Sequence, residues 1–251
     1  MTEVVADLEA GVLRLSRPAL QALATLTGGP AAPLPVDSPA ETTLGALESA
    51  GLVGPTGLHP VMAPIAAAVA DPVVRIRFDH LGPGTPVECP GWISPDVAVL
   101  AVPGSDGLDE ILAVETSFLP ARLAALIGLG PRPVPRLPPG SVRADIGLLE
   151  ALLSGLVATA EDVRRHVGPV VPQALVDAAV AISDGIRLHW RATTTWGDPA
   201  RPATRTHEVV ESQAGTFWVV HRDFAGTELT PISPTGVWRL LIGLLPGDDE
   251  L

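Results

Sequence analysis

The sequence predicts an α+β protein: a quasi-twofold, duplicated antiparallel β-sheet with helices packed on it. Three observations carry this prediction. Hydrophobic periodicity changes from about 3.6 residues to about 2 near Pro72. A proline-rich stretch at 131–140 separates two series that each run from helices to strands. The tetrapeptide Leu-Ile-Gly-Leu occurs at 126–129 and again at 241–244, inside the similar segments Glu115–Pro133 and Thr230–Gly247. Together they divide the chain into an N-terminal half at 1–130, a linker at 131–141 and a C-terminal half at 142–251.

The first half opens with a short strand at 11–15. Ser16 and Pro18 then start a helix with Leu20, Leu23, Ala24 and Leu26 on one face, ended by Gly28 and Gly29. Ser38 and Glu41 have the spacing of a capping box, in which the hydroxyl accepts an amide N–H and the carboxylate reaches back. That helix carries Leu44, Leu47 and Ala50 and stops at Gly51. A third, alanine-rich helix is predicted from Pro60 to Ala70. Val73–Asp79 alternates, with Val74, Ile76 and Phe78 on one side and Arg75, Arg77 and Asp79 on the other, so it reads as a strand. Further strands are predicted over 91–102 and 110–118, joined by short connections into an antiparallel meander. A helix follows, with Leu123, Leu126, Ile127 and Leu129 facing the core.

Residues 131–140 hold five prolines and read as an extended linker. Helices are predicted over 141–167, with Ser141 as cap, and over 172–184. Strands follow at 186–195, 207–211, 216–222 and 228–231. The last helix covers 235–245 and precedes an acidic tail, Asp248-Asp249-Glu250, that reads as solvated. Trp92, Trp190, Trp218 and Trp238 are expected in the core. Trp196, before a Gly-Asp-Pro turn, is expected as an exposed anchor for a partner.

Composition limits the function. With 47% hydrophobic residues in 251 the chain can bury a substantial core. A net charge of −12 argues against nucleic acid, whose phosphates it repels. The chain contains no Lys, Asn or Tyr, residues with AT-rich codons, which points to a GC-rich, actinobacterial genome. There is no basic-apolar leader and no apolar run of about 20 residues, so a cytoplasmic protein with no membrane insertion is expected.

No catalytic signature stands out, and no enzyme is predicted. The six histidines lack metal spacing. The single cysteine, Cys89, excludes an intrachain disulfide and reads as a buried thiol. There is no GxSxG elbow, no lysine for a phosphate loop and no strand–GxGxxG–helix unit. Metal ligands and cofactor-binding residues are therefore none, and no cofactor is expected.

The order of several motifs resembles the EspG family of chaperones associated with type VII (ESX) secretion. They are Gly57-Leu58-His59-Pro60-Val61-Met62-Ala63-Pro64-Ile65; the alanine-rich helix ending in Asp71-Pro72; Val73-Val74-Arg75-Ile76-Arg77; and Gly91-Trp92-Ile93. The helix and linker from Leu119 to Pro133, the strand from Gly215 to Arg222 and the helix from Pro234 to Leu241 complete the series. The resemblance covers most of the chain. It implies a cytosolic chaperone that binds the helical tip of PE/PPE-type substrates, shields an apolar end and delivers it for protein secretion. Two features depart from the pattern: a Pro/Arg/Thr-rich insertion at 196–214 and a short loop at 103–108. They leave open whether the client is PE/PPE-like or a small WXG-type helical protein.

Protein binding is placed on the loop Gly104, Ser105 and Asp106 and on Trp196, Arg222 and Phe224. The alternative is an enzyme or ligand-binding domain with a site in a groove between the halves, where His221, Glu115 or Arg77 would converge. A homodimer contact is the third reading.

Overall fold

The alternating segments form one eleven-stranded sheet, in which every described pairing is antiparallel. The structure is a computed structural model and describes residues 3–27, 40–81, 87–130, 141–144, 186–223, 226–247 and 249–251, with single positions 161, 173, 176 and 182. Residues 131–140 of the linker, most of the helices expected over 141–167 and 172–184, Ser38 of the capping box and Phe224 lie outside the described residues.

In chain order the strands are β1 (Val4–Asp7), β2 (Val12–Leu15), a two-stranded hairpin β3 (Val53–Gly54) and β4 (Gly57–Leu58), β5 (Val74–His80), β6 (Val87–Ile93), β7 (Val97–Pro103), β8 (Asp109–Glu115), β9 (Val142–Ala144), β10 (Ile186–Trp196), β11 (Ala203–Ser212), β12 (Phe217–Asp223) and β13 (Gly226–Ile232). The helices described are α1 (Arg17–Thr25), α2 (Ala40–Ser49), α3 (Met62–Ala70), α4 (Leu119–Leu126) and α5 (Pro234–Ile242). The sheet order is β1-β2-β8-β7-β6-β5-β10-β11-β12-β13-β9. Read outward from the β5–β10 joint, β6, β7 and β8 on one side answer to β11, β12 and β13 on the other. Beyond them β2 lies on β8 as β9 lies on β13.

Local chemistry sets the helix starts. The Ser16 hydroxyl accepts from Ala19 N–H at 3.2 Å and the Ser233 hydroxyl from Gly236 N–H at 3.1 Å. In both, a proline follows in the first turn, where its missing N–H costs nothing.

Several sequence expectations change. The strand predicted over 91–102 is two strands, because Ser94-Pro95-Asp96 turns the chain. The Ser94 hydroxyl donates to Val97 C=O at 3.0 Å, and Val97 N–H donates to Ser94 Oγ at 3.1 Å. Ser94-Pro95-Asp96 is itself a turn signal between the apolar segments, which the reading of 91–102 as one strand passes over. The strand expected to reach Phe118 ends at Glu115, and Thr116–Phe118 forms one 3₁₀ turn. Residues 142–144 form β9 on the edge of β13 rather than opening a helix at Ser141. Residues 203–206, treated as insertion, extend β11.

The sheet has two unlike faces. On one, Val74, Ile76, Phe78, Cys89, Ile93, Leu100, Leu188, Trp190, Ala192 and Phe217 form a continuous core across the β5–β10 joint. Helix α4 covers it through Leu119, Leu123 and Ala124, and α5 through Val237 and Leu241. Phe78 and Trp190 stack there, ring centroids 5.5 Å apart. On the other face a second core lies over the β2–β8–β7 end. It packs Leu15, Leu20, Leu23, Met62 and Ile65 against Val99, Ala101 and Ile111.

The repeated tetrapeptide does not repeat in burial. Leu126 is exposed where Leu241 is buried, and Ile127 is buried where Ile242 is exposed. The correspondence between the helices therefore lies in their place after the fourth strand, not in a shared buried face. Trp190 and Trp218 are core residues, whereas Trp238 is 36% exposed.

Gly91 occupies a tight point of the first core. A Cβ there would lie 2.6 Å from Ile76 Cγ2, 2.6 Å from Leu100 Cδ2 and 2.8 Å from the Val99 carbonyl. The carbonyl belongs to the β7 ladder and cannot withdraw. Gly91→Ala is expected to destabilise the protein by about 1–3 kcal/mol, read as a lowered denaturation midpoint with an unchanged slope.

Candidate functional site

Alternation along the central strands puts their polar residues together on the second face. Register places Arg75 beside Thr195, Arg77 beside Thr193 and Asp79 beside Arg191, while Thr193 pairs in turn with Thr206 and Arg191 with Glu208. Arg75, Arg77, Thr204 and Thr206 are exposed, so this centre of the sheet is an open polar strip. It contains a pocket of about 500 Å³ lined by Arg191, Thr193, Thr206, Glu208, Val220 and Arg222, with His221 between the last two.

Glu208 organises the strip. Its residue is 4% exposed, yet it carries a full set of donors. Oε1 accepts from Arg222 Nη2 at 2.8 Å and lies 3.0 Å from His189 Nε2. Oε2 accepts from Arg191 Nε at 3.1 Å and Nη2 at 2.8 Å, and from Arg222 Nε at 3.1 Å. Burial pushes the carboxyl pKa up, but the bonds from His189, Arg222 and Arg191 outweigh it and hold the group well below the usual carboxylate range. Next to it, Arg77 Nε reaches both oxygens of buried Asp79, at 2.8 and 3.0 Å, and Arg77 Nη2 lies 3.1 Å from Glu88. The Thr193 and Thr206 hydroxyls are 3.1 Å apart.

The residues singled out from sequence do not assemble into one site. Gly104 and Asp106 lie in the β7–β8 loop, where Asp106 accepts from Arg14 Nη2 and from Leu108 N–H. A Cβ on Gly104 would meet the Leu108 carbonyl at 2.7 Å, so the glycine is needed for the loop itself. That loop is five strands from β12, about 24 Å across the sheet. Trp196 is not the exposed anchor expected of it. It is 7% exposed, its Nε1 donates to the Glu250 carbonyl at 3.1 Å, and the Arg205 guanidinium lies 5.2 Å over its ring. The acidic tail is correspondingly not free. Arg205 binds Glu250 Oε1 at 2.7 Å, and its other amino group caps α5 through the Gly243 and Leu245 carbonyls at 2.7 and 2.9 Å. Of the six residues, Arg222 lines the pocket, Ser105 stays with the distant loop and Phe224 lies outside the described residues.

The convergence of His221, Glu115 and Arg77 is not found either. The halves are hydrogen-bonded through β5 and β10, so the described sheet runs on from one to the other. Glu115 is on β8, where it accepts from Ser117, and Arg77 is engaged by Asp79 and Glu88. Alternation turns the His221 ring away from Arg222, towards His207. Burial, Arg205 and His221 together lower the His207 pKa.

Sequence reasoning missed Glu208, His189, Arg191, Thr193 and Thr206. A signal was present in β10: His189, Arg191, Thr193 and Thr195 alternate with Leu188, Trp190 and Ala192. Nothing local marks Glu208, because its burial depends on two other strands.

Glu208→Gln removes the charge that balances two arginines. The expected loss is about 3 kcal/mol at pH 7, the low end for a broken buried pair because both guanidinium groups reach water. A depressed carboxyl stabilises above its ordinary pKa of 4.5, and that contribution fades as pH falls towards the folded value. Denaturation at pH 7 and pH 3.5 is therefore expected to show a smaller acid-induced loss in the variant than in the parent. Cys89 gives a second check. Burial, with Asp109 and Asp79 nearby, pushes its thiol up to about 11, so a maleimide at pH 7 is expected to leave it unlabelled in the folded protein.

No family model matches the chain, and no curated protein matches it. A solved structure does: the Mycobacterium tuberculosis type VII secretion system chaperone EspG5 in complex with a PE25–PPE41 dimer. It is 15% identical, with a TM-score of 0.59, over 94% of this chain and 97% of that one. The chain therefore has an EspG-like fold: a large antiparallel sheet with a few helices packed on it.

Proposed function

We propose that this chain is a chaperone that binds a helical client of a type VII secretion system and escorts it to the secretion machine without catalysing a reaction. The observation that carries the reading is the shared fold, which extends over 94% of this chain and 97% of a chaperone solved with its PE–PPE partner. No helix among the described residues is long and apolar enough to cross a membrane, consistent with a chaperone working before export.

The open polar strip is the surface on which the client docks. One sheet face is consumed by the α4–α5 core, and the β2–β8–β7 end of the other is consumed by α1 and α3. The centre between them offers threonines and arginines. A helix end carries backbone groups with no intrahelical partner, so a donor-rich strip suits the tip of a helical hairpin better than its apolar flank. The client is PE/PPE-like, with a WXG-type helical protein as the alternative.

The pocket favours a second reading, a small-molecule site, since about 500 Å³ with converging polar groups falls within the range of ligand pockets. It sits on β10–β12 rather than between the halves.

Co-expression with small helical secretion proteins, followed by gel filtration, tests the first reading. A stable complex is expected, weakened by Thr206→Arg on the strip and unaffected by Leu126→Arg on exposed α4 surface. Clients that stay soluble and elute separately would remove the chaperone reading.

A further inference from the structure

The pocket on β10–β12 has a donor and acceptor inventory that selects its occupant. Glu208 is its lining carboxylate, and both oxygens are already engaged by His189, Arg191 and Arg222. Arg191 spends Nε and Nη2 on Glu208, and its Nη1 amino group makes no hydrogen bond among the described residues. Thr193 and Thr206 share one hydrogen bond between two hydroxyls, so one O–H is left over to donate. The charged acceptor is used up and only hydroxyl lone pairs remain, while a charged donor is left over, so an anion is favoured over a cation.

Charge points the same way. Arg191 shares the Glu208 carboxylate with Arg222 and His189, so its charge is only partly offset. Glu208 also holds both guanidinium planes by their Nε edges. The remaining edge of Arg191 is thereby preorganised, and less ordering entropy is lost when a planar anion binds it.

We propose that this pocket is a carboxylate acceptor that takes an aspartate or glutamate side chain presented at the end of the client helix, a proposal that rests on the client-binding reading. Arg191 Nη1 and the spare threonine hydroxyl bond the carboxylate oxygens. Glu208 is a positioning residue that keeps Arg191 in place. At about 500 Å³ the pocket has room for the rest of the helix end around the acid.

The test uses the whole chain and three probes: N-acetyl-glutamate amide, its neutral glutamine analogue and inorganic phosphate, followed by amide NMR. The glutamate probe is expected to bind saturably at millimolar concentration, shifting the Arg191, Thr193 and Thr206 amides, with the glutamine analogue about tenfold weaker or more. Arg191→Gln is expected to abolish the shifts, and Arg191→Lys, which keeps the charge and folds if the glutamine variant does not, to weaken them about tenfold. Equal binding of the two amides, no saturation, or unchanged binding in both variants would overturn the proposal. So would phosphate binding more tightly than the glutamate probe. Because the probes need no client, loss of this result leaves the co-elution result standing. Carboxylate binding by a chain that captures no client would instead assign the pocket to a free small acid and overturn the client half.

Discussion

The antiparallel pairing of β5 with β10 is the constraint on which the rest of the structure depends. Val74 through His80 pair residue by residue with Trp196 back to Trp190. This ladder turns two meanders into one sheet and fixes which residues share a face. A slip of one residue would send Trp190 and Phe78 to water and bring Arg191 and Arg77 into the core. The Phe78–Trp190 stack and the packing of α4 and α5 over both meanders oppose such a slip.

The same ladder explains why the second face has an open centre. Eleven strands at about 4.8 Å span roughly 50 Å, whereas a packed helix covers only about 10 Å. Helices α1 and α3 cover the β2–β8–β7 end. The strands nearest the joint carry arginine, threonine, aspartate and glutamate on that side, residues that tolerate water and pair with one another. Glu208 and Asp79 are paired with neighbours of opposite charge, which orders the strip around them. On the other face Arg205 has a related role: it joins the end of β11, the α5 carbonyls and the tail around Trp196.

Much of the fold was legible in the sequence. The alternation of Val73–Asp79 placed Ile76 and Phe78 on the buried side and Arg75 and Arg77 on the other, and serine-proline starts marked α1 and α5. Strand order was legible only as a two-part pattern, because pairing is non-local. The Ser94 turn was legible as Ser-Pro-Asp but was passed over beside the long apolar segment that follows it. β9 was missed because a three-residue edge strand owes its form to β13, not to its own sequence. The candidate site was much less legible. Trp196 looked exposed because it precedes a turn, but the tail that covers it lies 54 residues away. Glu208 looked like an ordinary strand carboxylate, and its three partners come from β10 and β12.

The central claim is that the open centre of the second face receives the client. Cysteine protection measures this directly, since the native thiol is buried and poorly reactive. Thr206→Cys is exposed on the strip and Leu126→Cys on the opposite, helix-covered side. With client bound, maleimide labelling of Thr206→Cys is expected to slow by about tenfold or more, while Leu126→Cys labels as before. An unchanged rate at Thr206→Cys in a formed complex would contradict the account, and protection of Leu126→Cys instead would move the binding surface to the α4–α5 side.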